Sequence, residues 1–193
     1  MIELPPFARI GSVSPALIDM GFTQRGISTS ERINRKGSRY RAACSFGPYP
    51  GDQARQMVAR LIRGKQEGLR IALPLLHSQG SPGVPLVDGA VSTGRSLAIK
   101  GLSPGYFCKE GFWLSIVVSG QHFLHNVYTG GRADASGNLT LTLNEMIRTS
   151  IPDEAVIHLA KPMIEGLVDG DEWQWSYAVD RVVPIEFAIE EKQ

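Results

Sequence analysis

The sequence predicts a mainly β protein: a small β-barrel or β-sandwich with one packed α-helix and an extended N-terminal arm. Three observations carry this. The 193 residues include 21 glycines and 12 prolines, enough to punctuate many short elements but too few for a low-complexity tract. Seven or more short runs are apolar or alternate in period two. Only one stretch has helical periodicity, so no helix follows each strand and a doubly wound sheet is disfavoured.

Residues 1–37 read as an extended arm or long loop. Pro5, Pro6 and Pro15, with Gly11, Gly21 and Gly26, interrupt any long element. Ser28 has Glu31 three residues on, a capping-box spacing, but the following NRKG reads more simply as a turn. A β-rich domain then runs over 38–193. SRYRAACSF opens it as a strand, with Pro48 and Pro50 expected to stop the strand. A helix near 52–65 follows, with Asp52 as its expected cap. Ala54, Met57, Val58, Leu61 and Ile62 recur three and four apart and form its apolar stripe, while Arg55, Arg60 and Arg63 take most of the other side.

Strands are expected at 69–76, 84–89 and 95–101. Two runs, 112–118 and 121–128, are separated only by Ser119–Gly120 and so form a hairpin. Leu139, Leu141 and Leu143 alternate with Thr140 and Thr142. Further strands are expected at 155–162 and 182–190, with Pro184 marking an edge or a bulge. The hairpin, 139–143 and 182–190 are expected to share one core. Met57, Leu61, Trp113, Leu124, Leu141 and Phe187 are its expected packing residues, and the helix stripe is expected to cover strand 112–118.

The net charge is only +1 but is divided. Residues 1–70 hold 12 Lys/Arg against 5 Asp/Glu, and residues 71–193 hold 8 against 14. The basic density peaks at Arg25, Arg32, Arg35, Lys36, Arg39 and Arg41. This suits a polar molecule that docks on copies of itself or on acidic partners, and these six are the expected inter-subunit contacts. Only Tyr40 interleaves as an aromatic, and no RNP-type or helix-turn-helix pattern accompanies the stretch, which disfavours sequence-specific nucleic-acid recognition.

Two cysteines, Cys44 and Cys108, make neither a disulfide framework nor a four-thiolate metal site, and they suit a reducing compartment. No run is as long as a transmembrane helix, and the N-terminus lacks a signal-peptide pattern, so synthesis in the cytosol is expected. No HExxH, CxxC or GxSxG motif is present. His122 and His125 are three apart on a strand and point to opposite faces, a poor chelating pair; His77 and His158 complete the histidines. Glu186 and Glu190 share a strand parity but lie ~13 Å apart along it, too far for a glycosidase pair. Asp169, Asp171 and Glu172 surround Gly170 as a solvated turn. No catalytic residue, metal or cofactor is assigned. Trp173, Trp175 and Tyr177 share one parity of a strand and read either as an aromatic interface or as a sugar platform.

The series of pieces resembles the distal tail proteins of long-tailed, siphovirus-like bacteriophages, of the belt-domain type. The likeness spans Ser38 to Gln193. It begins with RYR, the helix at 51–67 and RIALPLL. KEGFWLSIVVSGQHFLHNVYTG then resembles the family's G-D-[FW]-[FL]…G…L-[HY]-x-V hairpin, through Gly111, Phe112, Trp113, Leu114, Gly120, Leu124, His125 and Val127. ADASGNLTLTL and MIRTSIPDEAVIHLAKP are similar to the turn and strand pieces that follow it. The family often has glycine where this chain has Glu154 or Ala155, and Asp where it has Glu110. The resemblance implies a non-enzymatic ring, six copies at the distal end of the tail tube. Such a ring joins the tube protein to the hub, baseplate or tail tip, and DNA passes its lumen unread. It further implies a virion component assembled in the host cytoplasm, with no membrane partner. A tail tube or tail terminator subunit is the nearest structural alternative, and a carbohydrate-binding β-module is the alternative from another class.

Overall fold

The computed structural model describes residues 1–170 and 182–192, so the aromatic row Trp173, Trp175 and Tyr177 lies outside the described residues, as do Asp171 and Glu172. The chain is mainly β, with one α-helix among the described residues. It divides into two compact units, one comprising Met1–Ala16, Tyr40–Pro74 and Met163–Lys192, the other Leu17–Arg39 and Leu75–Pro162.

The first unit is built on a six-stranded sheet. Its strands are β1 (Ile2–Glu3), β2 (Ile10–Ile18, whose last two residues belong to the other unit), β5 (Arg39–Pro50), β6 (Leu69–Ala72), β15 (Met163–Val168) and β16 (Val182–Glu191), in the order β1-β6-β15-β16-β5-β2. In β5, Tyr40, Ala42, Cys44 and Phe46 are buried, while in β16 Val183, Ile185, Phe187 and Ile189 are buried. This period-two pattern places one face of each strand in a core. The stretch 1–37, read as an arm or loop, thus supplies strands β1 and β2 to this sheet. Ile2 pairs in parallel with Leu69, and the Tyr49 hydroxyl accepts from the Arg9 amide at 2.9 Å.

Pro48 does not stop the strand, which runs on to Pro50. Between the pairs Phe46–Ile185 and Tyr49–Val183, β5 has two residues, Gly47 and Pro48, opposite the single residue Pro184. Pro48 and Pro184 both sit in this bulge, where the regular ladder is interrupted, and Pro50 ends the strand opposite Val182. Pro184 is therefore at a bulge and not at an edge, since β16 lies between β15 and β5.

Helix α1 (Gly51–Glu67) begins directly after Pro50, which occupies the N-cap position without a side-chain cap. The expected Asp52 cap is absent; Asp52 lies in the first turn, where its charge suits the helix dipole. Ala54, Met57, Val58, Leu61 and Gly64 form the buried stripe. Ile62 is 43% exposed, so the stripe is narrower than expected and turns toward Gly64, which lies against Leu69 and Val168. The strands that carry the helix contacts are β1, β6, β15 and β16, in place of the expected 112–118.

The second unit holds a nearly closed sheet. Its strands are β7 (Gly83–Val87), β8 (Ser96–Leu102), β10 (Trp113–Val118), β11 (Gln121–Thr129), β13 (Leu139–Leu143) and β14 (Ile157–His158), in the order β14-β10-β11-β13-β8-β7. A bridge between Leu86 and Val156 and the bond from the Val87 amide to the Ala155 carbonyl, 2.9 Å, join the two ends. A small pair, β9 (Phe107–Cys108) and β12 (Gly131–Arg132), accompanies it, as does the hairpin of β3 (Phe22–Arg25) and β4 (Ser30–Ile33).

Ser119 (φ 51°) and Gly120 (φ 80°) both adopt left-handed conformations, as a two-residue hairpin turn requires. Leu97, Ile99, Leu114, Ile116, Leu141 and Leu143 lie at the centre of one core cluster. Leu124 is buried but has the opposite parity to Val127, which belongs to that cluster. Trp113 is half-buried, packing less deeply than expected. Phe187 is buried in the first unit, so the strands expected to share one core divide between two. The 155–162 strand shortens to Ile157–His158, and β15 lies in a stretch with no predicted element.

Candidate functional site

The basic segment supplies the most exposed element of the second unit. In β3–β4, Phe22 faces Ile33, Thr23 faces Arg32, Gln24 faces Glu31, and Arg25 faces Ser30. Strand parity puts Phe22, Ile33, Gln24 and Glu31 on one side and Thr23, Arg25, Ser30 and Arg32 on the other. All eight residues are exposed, and Ile27 in the connecting loop is fully so. A two-stranded hairpin is marginal in water without a further covered face. Phe22, Ile27 and Ile33 therefore present apolar surface within a cationic element.

The cationic groups are not equivalent. Arg32 forms an ion pair with Asp19, and its other arm reaches the Thr23 hydroxyl at 3.4 Å. The Gly21 amide donating to Asp19, with Arg32 beside it, holds the Asp19 carboxyl below its usual range. The Arg35 guanidinium lies over the Phe22 ring, 5.7 Å from its centroid. The Lys36 ammonium donates to the Ser92 carbonyl at 2.7 Å, tying the end of the segment to the loop before β8. Arg25 is exposed in β3, and Arg39 is half-buried at the start of β5. Arg41 belongs to the first unit and pairs with Asp169 at 2.5 Å. Five of the six expected contact residues thus share one unit, and Arg41 belongs to the other.

The histidines fall into two settings. His125 Nδ1 bonds the Glu145 carboxylate, and both side chains are buried. His122 is buried, stacks on His158 with ring centroids 5.1 Å apart, and has Nδ1 3.4 Å from the Ser115 hydroxyl. Ser115 has no exposed surface, which leaves an acyl substrate no approach to that hydroxyl. Among the described residues, no group of three or more His, Cys, Asp or Glu is placed to hold a metal ion. Burial pushes both cysteine thiols up to about 12, away from nucleophilic ionisation.

Glu145 and Gln79 carried no signal in the sequence. Gln79 lies in a stretch that reads as turns, yet it is buried and clamps the start of β10. Its amide donates to the Trp113 carbonyl at 2.7 Å and accepts from the Trp113 amide at 2.8 Å. Such pairings join residues 34 positions apart and depend on the closed sheet. No protein-family model matches this chain, and no curated protein matches it.

Proposed function

We propose that this chain is a non-enzymatic structural subunit of a phage tail, a distal tail protein that forms a ring between the tail tube and the hub or tail tip. The observation that carries the reading is the hairpin β3–β4. It exposes Phe22, Ile27 and Ile33 beside Arg25, Arg32 and Arg35, an arrangement suited to cover by another protein surface. The resemblance over 38–193 supplies the architectural context, and the acidic balance of 71–193 supplies a complementary surface on a neighbouring copy. Six copies, contact with tube and hub proteins, passage of DNA through the lumen and residence in the virion tail all belong to this proposal.

Sedimentation and electron microscopy of the purified chain test it. A closed, six-fold oligomer is the expected result, and Arg25→Glu weakens assembly more at low salt than at high salt, as a screened contact does. A stable monomer at high concentration that does not associate with tail structures overturns the reading. An unchanged oligomer in the variant at both salt levels removes the hairpin charge from it.

A further inference from the structure

We infer that the second unit carries a binding site for a small oxyanion at the base of the β3–β4 hairpin. A cleft of about 230 Å³ lies there, lined by Arg32, Asn34 and Arg35 from the hairpin end, by Arg95 from the bend before β8 and by Asn144 and Glu145 from the bend after β13, with Asp19 and Ser38 on its wall. Its volume is below the ~300–1,000 Å³ of ordinary small-molecule pockets and suits one phosphate or one carboxylate with its water.

The cations in the cleft are differently committed. Arg32 is neutralised by Asp19. The Glu145 carboxylate, the second negative group, bonds buried His125. Arg35 is held only by the Phe22 ring, and among the described residues no carboxylate or carbonyl accepts from it. Arg95 spends its Nε donor on the Leu143 carbonyl at 2.8 Å and lies over the Tyr128 ring at 5.2 Å. Its terminal nitrogens have no acceptor among the described residues. Two guanidiniums are thus oriented by aromatic rings, with planar donor pairs left for a ligand. Charge-assisted, bidentate bonding of this kind selects carboxylate and phosphate oxygens. Because Arg35 follows β4 and Arg95 precedes β8, an oxyanion bound by both bridges the hairpin base to the end of a sheet strand and stiffens the hairpin.

The shared ligand chemistry has two sources, a free phosphate or a carboxylate carried by another copy of the chain. The test is calorimetric titration of the full chain with inorganic phosphate against chloride at matched ionic strength. Saturable binding of one phosphate per chain is expected, weakened about tenfold or more in Arg35→Gln and in Arg95→Gln, as loss of a charge-assisted bond requires. Arg95 also bonds the backbone, so Arg35→Gln is the deciding variant if Arg95→Gln loosens the fold. Sedimentation across the same titration separates the sources. Phosphate that leaves the oligomer intact marks a free-anion site, and phosphate that dissociates it marks displacement of a neighbour's carboxylate. Absence of saturable binding beyond the chloride control, or unchanged binding in Arg35→Gln, overturns the inference. A monomeric chain that still binds phosphate removes the ring reading and leaves this one standing.

Discussion

Phe46 and Phe187 stack with ring centroids 5.4 Å apart and planes 14° apart, joining two neighbouring strands of the first sheet. The rings come from β5 and β16, on the rows that also bury Cys44 and Ile185. Phe187→Ala removes one ring from a filled core and is expected to cost roughly 3–5 kcal/mol, a large part of the stability of an ordinary domain. Chemical denaturation measures it, and a loss below about 1 kcal/mol contradicts the packing described.

Leu61 and Ile62 are neighbours with opposite fates. Leu61 has no exposed surface, whereas Ile62 is 43% exposed. Leu61→Asp buries an unpaired carboxylate against β-strands of the first unit, and loss of cooperative folding is expected. Ile62→Asp keeps its charge in water and is expected to shift the thermal midpoint by only a few degrees. Equal effects from the two substitutions contradict the observed stripe.

Glu154 has φ 62°, a conformation that costs a side-chain-bearing residue roughly 1 kcal/mol and that glycine adopts freely. The neighbouring Asp153 carboxylate accepts from the Gly89 and Glu154 amides, both at 2.9 Å, and fixes the turn. Glu154→Gly is expected to leave stability unchanged or raise it by up to about 1 kcal/mol, while Glu154→Val lowers it. Paired thermal melts of the three proteins decide this.

Asp19 is held ionised first by the Gly21 amide and then by Arg32. A carboxyl whose folded pKa lies below its unfolded value contributes stability above the unfolded value, and that contribution fades as pH falls through the folded one. The carbon chemical shift of the Asp19 carboxyl is therefore expected to titrate below the usual range. In Arg32→Ala it rises only part of the way, because the amide contact remains. A full return to the ordinary value assigns the whole effect to the guanidinium.

The pattern of single strands was written in local sequence. Alternation in 139–143 and 182–190, the Ser119–Gly120 turn and the helix period all depend on residues a few positions apart, and each element forms where the pattern places it. Pro48 misled because its effect depends on the opposing strand: it is tolerated since Pro184 faces the same bulge. The N-terminal strands were hidden for a related reason. β1 and β2 are stabilised by partners at 69–70 and in β5, not by their own composition.

The candidate site divides along the same line. The basic residues and their exposed hairpin lie in one segment, so their concentration was legible as charge density. The cleft needed Arg95 and Glu145, contributed from more than fifty residues away. Sequence by itself determined the helix, the 112–128 hairpin and the strands at 139–143 and 182–190, because period and turn chemistry are short-range properties. Tertiary structure alone decided which strands share a core, which strands the helix covers and which arginines meet. Those outcomes depend on long-range pairing and on the volume available where the chain returns to itself.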